Sequence, residues 1–185
     1  MLLKGALHVH TTCSDGTLSI PEVVHIYAAL GFDFLALTDH DYLLRPGAYE
    51  RGLAGFQTTL VIFLGVERTV FEKGYVHVNE IRGDEEVLRI FNHPAELNLP
   101  FDKILERIQG TAEQVGIDAV EVTSKGHYTP ECDTPRIPYP RLATDDSHTR
   151  AGCGKAWIEL DCQREKDPIL RAIKAGQSWN CFNTH

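Results

Sequence analysis

The sequence predicts an α/β fold built as one domain over residues 1–185, with a largely parallel sheet or barrel. Three observations predict it. Short apolar runs alternate with amphipathic stretches along the chain. The 185 residues are 43% apolar, enough for one real core. No repeat, low-complexity tract or linker divides the chain in two. Strands interleaved with helices pack in layers, and the active residues of such folds lie at the carboxyl ends of the strands.

The elements follow in order. Leu3 to Val9 reads as the first strand. Ser19 can cap a helix running through Pro21, Val23, Val24, Tyr27 and Leu30, with Gly31 suited to end it. Phe34 to Leu37 reads as a buried strand. Further strands are expected over Thr59 to Val66, Tyr75 to Ile81, Leu88 to Asn92, Ile117 to Val122, Leu142 to Thr144 and Ala156 to Leu160. Helical patterns fall over Phe101 to Gln109, Ala112 to Val115 and Pro168 to Ala175. Gly126 to Pro140 is the one long loop, and long loops in compact domains are often functional. The terminal SWNCFNTH carries apolar residues suited to packing on a neighbour, and His185 reads as a mobile end.

Composition narrows the classes of function. A net charge of −8 and a pI near 5.5 disfavour an extended nucleic-acid footprint, although bound cations can reverse the field locally. No apolar run approaches the ~20 residues of a membrane span. MLLKGALHVH lacks the pattern of a signal peptide, so a cytoplasmic protein is expected. The five cysteines form no CxxC pair and read as free thiols, Cys13 as a packed one.

The chemical signal is where the histidines fall. His8 and His10 flank Val9, and the two-residue period of a strand turns both imidazoles to one face. Asp15 follows in a polar turn that can return a carboxylate to the same mouth. The second strand ends in Thr38-Asp39-His40-Asp41, the third in Gly65-Val66-Glu67; the fourth carries His77 and the fifth ends in Asn92-His93-Pro94. Asp145-Asp146-Ser147-His148 follows the next run, with Asp146 and His148 on one face. Any one of these alone reads more simply as a hydrogen-bonded core or surface group, and Asp15 as a turn residue. Together they would require many costly polar groups placed independently at the ends of buried strands. His25, on the capped helix, keeps the simpler reading.

HVHTTCSDGT followed by LTDHD, GVE, HVN, NHP and DDSH resembles the successive motifs of the PHP (polymerase and histidinol phosphatase) family, from about Lys4 to His148. The resemblance implies a distorted (β/α)7 barrel, here somewhat abbreviated, with two or three divalent ions. By motif, His8, His10, Glu67 and Asp146 would hold the first ion. Glu67 would bridge to a second held by His77 and His93, and Asp15, His40 and His148 would hold the third. Imidazole and carboxylate ligands without cysteine suit Zn²⁺, Mn²⁺ or Fe²⁺. The implied chemistry is hydrolysis by metal-activated hydroxide, with Glu67, Asp146 and His148 as the catalytic residues. Asp39 and Asp41 are expected to orient His40.

Cations outside the metal set are candidates for substrate contact. Arg68, Arg136 and Arg141 lie near the expected mouth, and Lys125, His127 and Arg150 are the preferred trio because they adjoin strand ends or the last motif. The favoured activity is a phosphoesterase acting on a small phosphorylated substrate or short nucleotide. A carboxyl or carbamate ester or amide hydrolase is the alternative, and a noncatalytic, metal-stabilised accessory domain the third reading.

Overall fold

The computed structural model describes residues 1–183, so the expectation for His185 lies outside the described residues. The elements run β1 (Leu2–Val9), α1 (Ile20–Ala29), β2 (Phe34–Leu37), α2 (Ala48–Leu53), β3 (Val61–Phe71), β4 (Tyr75–Arg82) and β5 (Val87–Phe91). They continue with α3 (Phe101–Val115), β6 (Ala119–Glu121), β7 (Thr123–Ser124), β8 (His127–Tyr128), β9 (Arg141–Leu142), β10 (Ala156–Asp161), α4 (Lys166–Lys174) and β11 (Trp179–Phe182). None of the helices among these residues is long and apolar enough to cross a membrane.

Nine strands form one sheet in the order β11-β10-β1-β2-β3-β4-β5-β6-β9. The sheet curls until its ends nearly meet. At one end Val9 bridges Ser147, with the His10 amide donating to the Ser147 carbonyl at 3.0 Å. At the other, Asn180 acts as a clasp: its Oδ1 accepts from the Ala143 amide at 2.8 Å and its Nδ2 donates to the Arg141 carbonyl at 3.0 Å. The expected strands are present, but the sheet is evenly mixed rather than largely parallel. The reason is local: β3 and β4 are joined only by Glu72-Lys73-Gly74, with positive φ at Lys73 and Gly74, and so tight a turn permits only antiparallel pairing.

Period-two alternation sorts the side chains. Phe34 and Ala36 of β2 face the barrel interior, which α4 plugs with Ile169, Leu170 and Ile173. Leu35 and Leu37 face outward onto Val23, Val24 and Tyr27 of α1. Val76, Val78 and Val120 do the same under Ile104 and Ile108 of α3. Helix α1 starts where the sequence indicates: Glu22 accepts from the Ser19 amide and hydroxyl at 2.8 and 2.6 Å. Helix α3 is continuous where the sequence suggested two pieces. Gly110 inside it makes room for Glu72, whose carboxylate would lie 2.5 Å from a Cβ there. Residues Trp179–Phe182 of the C-terminal apolar stretch pair with β10 as the edge strand β11 and leave Trp179 exposed.

Candidate metal centre

The register of β1 against β2 shifts between Ala6 and Val9. Before the shift Leu7 packs into the barrel interior, and after it Val9 packs outward against α1. The irregularity therefore lets His8 follow Leu7 on the interior face, which a regular strand forbids. His10 then joins His8 by ordinary alternation, as the sequence predicts, and the two Nε2 atoms lie 3.1 Å apart.

Glu67, 1% exposed at the middle of β3, is the hub. Its Oε1 lies 3.4 Å from His8 Nε2, 3.2 Å from His77 Nδ1 and 3.2 Å from His93 Nε2. Its Oε2 lies 3.2 Å from His10 Nε2 and 3.0 Å from His40 Nδ1. Burial opposes its charge, yet the surrounding His8, His10, His40 and His77 hold the carboxyl well below the usual range.

A second ring surrounds the hub. Asp146 Oδ1 lies 3.3 Å from His8 Nε2 and 3.5 Å from His10 Nε2. Asp15 reaches His10 at 3.4 Å, His40 at 3.6 Å and His148 at 3.4 Å. All nine sequence-predicted ligands thus join one network. Asp146 and His148 arrive by a turn, not by the strand period expected for them, since β9 ends at Leu142. Asp146 has φ +44° and His93 φ +29°, a left-handed backbone that non-glycine residues adopt at a cost of ~1–3 kcal/mol.

The network fits divalent cations. His8 Nδ1 is tied to Glu121 Oε1 at 2.7 Å, which directs Nε2 inward. His148 Nδ1 likewise faces the Asp146 carbonyl oxygen at 3.1 Å. His40 Nδ1 is buried and, although 3.0 Å from Glu67, has no hydrogen-bond partner. Nitrogen lone pairs and carboxylate oxygens aimed at common points repel unless a proton or cation lies between them. Three overlapping groups converge: His10, Asp15, His40 and His148; His8, His10 and Asp146; and His40, Glu67 and His77.

Sequence reasoning missed the supports. Glu121, fully buried in β6, accepts from the His93 amide and the Thr144 hydroxyl as well as contacting His8. Its signal was present, a glutamate between Val120 and Val122 in a buried run. Asn92 donates to Glu67 Oε1 at 2.8 Å and to Asn79 Oδ1 at 3.0 Å. Neither Asp39 nor Asp41 contacts the His40 ring, contrary to expectation, because neighbours in an extended chain point away from it. Asp39 instead accepts from the Thr11 amide and hydroxyl, both at 2.8 Å, and from Ser14, building the turn that presents Asp15. Cys13 packs against the α1 cluster, as expected of a packed thiol.

A cavity of about 160 Å³ opens over the network, lined by His40, Glu67, His77, His93, Glu96, Lys125, Asp146 and His148. Lys125 reaches it from the two-residue turn between β7 and β8, where Lys125 and Gly126 both have positive φ. His127 and Arg150 are exposed and do not line this cavity. The other nominated cations are engaged elsewhere: Arg68 with Glu80, Arg136 with Asp102 and Arg141 with Asp133.

Residues 6–128 match the PHP domain. The chain belongs to the PHP family. Over 86 residues it is 37% identical to a 5'-3' exoribonuclease of Haemophilus influenzae, covering 46% of this chain and 31% of that protein. Over 73 residues it is 36% identical to a 5'-3' exoribonuclease of Salmonella typhimurium, covering 39% of this chain and 25% of that one. The matches thus span about a third or less of these curated relatives. Among solved structures, a two-domain Bacteroides vulgatus protein containing a predicted PHP-like metal-dependent phosphoesterase superposes with a TM-score of 0.73 at 18% identity, over 99% of this chain and 65% of that one. An amidohydrolase of Chromobacterium violaceum gives 0.69 at 16% identity, over 95% and 97%. At these identities the likeness is one of fold, and the fold is that of the PHP domain.

Proposed function

We propose that this PHP domain is a phosphoesterase acting on a small phosphate ester or nucleotide, with two or three Zn²⁺, Mn²⁺ or Fe²⁺ ions held by the nine converging side chains. The observation that carries the reading is Lys125, an exposed cation lining the cavity over the network. An anionic substrate gains from such a charge and a neutral carbonyl substrate gains little. The two relatives named as exoribonucleases favour a nucleotide-type phosphoester.

In this reading His8, His10, Glu67 and Asp146 would hold one ion, Glu67, His77 and His93 a second, and Asp15, His40 and His148 a third. Bound ions of this kind lower the pKa of water and neutralise phosphoryl charge. The protein's own contribution is placement. Glu67 remains ionised among its imidazoles, Glu121 fixes the ring of His8, and the Asp146 carbonyl fixes that of His148. Lys125 neutralises a phosphoryl oxygen from the open side.

The test is a panel of phosphomonoesters, phosphodiesters and carboxyl esters assayed with each of the three metals. Lys125→Ala should lower kcat/KM for phosphoesters by ~10- to 100-fold, the scale of one charge-assisted contact, without reducing metal content. Turnover of carboxyl esters with no phosphoester cleavage would overturn the reading.

A further inference from the structure

The cavity over the metal network has a neighbour. A second cavity, of about 220 Å³, shares His77, His93 and Glu96 with it and continues outward between Tyr75, Val76 and Leu97. The β3–β4 ladder explains why the two are joined. Glu67 pairs with Asn79, Thr69 with His77 and Phe71 with Tyr75, and alternation puts these pairs on one face of the hairpin. Burial falls along that face, from Glu67 at 1% exposed to Phe71 at 65% and Tyr75 at 72%. Tyr75 is two residues from His77, hence ~6–7 Å along the strand. The same strand that brings an imidazole to the hub thus carries an exposed phenol ring one step beyond it.

The two exposed rings are paired edge-on with centroids 5.5 Å apart, and that of Tyr75 lines the outer cavity. The lining of the outer cavity offers no lysine or arginine. Its one carboxylate, Glu96, is anchored by the Ser124 hydroxyl at 2.6 Å where the two cavities meet. Beyond the ion that His77 and His93 would hold, such a lining offers no cation to a second phosphate and suits an uncharged group. A carboxylate at the junction accepts hydrogen bonds from hydroxyls, and an aromatic face beyond it stacks on a flat ring.

We infer that this outer cavity is the leaving-group subsite, and that it selects phosphate monoesters whose leaving group is uncharged and carries an aromatic ring, as a nucleoside does, with Tyr75 as the stacking residue. The inference rests on the phosphoesterase reading for its place in the reaction, but the subsite can be tested by binding alone. Tyr42 is the internal comparison: it is also exposed and stacks on His40, with centroids 5.2 Å apart, yet it lines neither cavity.

The experiment titrates a non-hydrolysable methylphosphonate analogue of adenosine monophosphate, as the nucleotide, and inorganic phosphate into the metal-reconstituted full chain by calorimetry. Tyr75→Ala should weaken the nucleotide by ~10-fold, the scale of one base stacked on an aromatic ring, and leave phosphate affinity as in the wild type. Tyr75→Phe, which keeps the ring, should restore nucleotide affinity. Equal weakening of both ligands, no weakening of either, or a selective loss in Tyr42→Ala without one in Tyr75→Ala would each overturn the subsite. Failure of the phosphoesterase reading looks different: the selective loss on binding persists while no phosphate is released from any ester.

Discussion

His8 Nδ1 lies 2.7 Å from Glu121 Oε1 in a contact from which solvent is wholly excluded. The carboxylate fixes which imidazole nitrogen faces the network, so it governs metal binding without touching the cavity. Glu121→Gln should weaken metal affinity by ~10- to 100-fold, as expected when a carboxylate partner of a ligating histidine is removed. Titration against a chelator of known affinity measures this. Unchanged affinity in a folded variant would show that His8 needs no such support.

Glu67 carries the heaviest consequence. Replacing a carboxylate that faces five imidazoles by a neutral amide removes the one anion common to them, so Glu67→Gln should lose metal and activity together. His25 is exposed on α1, and His25→Ala should retain both. Elemental analysis after reconstitution separates the two. Metal loss in a folded His25→Ala as deep as that in Glu67→Gln would displace the site.

Metal affinity should rise with pH across the imidazole range. Burial opposes a charge on His8, but Asp146, Glu121 and Glu67 together raise its pKa well above 6.5, so protons compete with a metal for the ring. Glu67, held low, does not titrate there. The metal-free fold follows the opposite trend. A raised pKa contributes stability that is present in full below 6.5 and is lost as pH climbs through the folded value. Melting curves of stripped and loaded protein from about pH 6 to 9 should therefore diverge as pH rises. Loading at 100 times Kd should add ~2.7 kcal/mol. Parallel curves would exclude proton competition at His8.

Gly16 is needed for close approach. A Cβ there would lie 2.7 Å from the carbonyl carbon and oxygen of His10 and the nitrogen of Thr11. Gly16→Ala should cost ~1–3 kcal/mol in urea unfolding, typical of overpacking, and should loosen metal at Asp15, its neighbour. An unaltered midpoint would show that the turn yields freely.

Much of this was legible because strand periodicity and polar run-ends are local signals. Phe34–Leu37 has the boundaries read from its four apolar residues, and each of the nine proposed ligands joins the network. What was hidden depends on partners distant in sequence. The register shift that turns His8 inward exists only against β2, and Glu121, although visible as a carboxylate in a buried run, has no role until His8, 113 positions away, lies beside it. Helix α2 escaped notice because Ala48–Leu53 is too short to show a period. Lys125 was found for its position after a strand, whereas His127 and Arg150, chosen on similar grounds, are exposed outside the cavity.

The Asn180 clasp leaves the cylinder wall with a seam, because two contacts from one side chain stand where a ladder of main-chain bonds would otherwise run. Breathing motions should start there. An excursion that parts β9 from β11 breaks no strand pairing, whereas one at the opposite rim must break the main-chain latch between Val9 and Ser147. The protein can therefore relax at its base while the rim bearing His8, His10 and Asp146 keeps its shape, and Asn180→Ala should accelerate amide exchange at Ala143 far more than at His10.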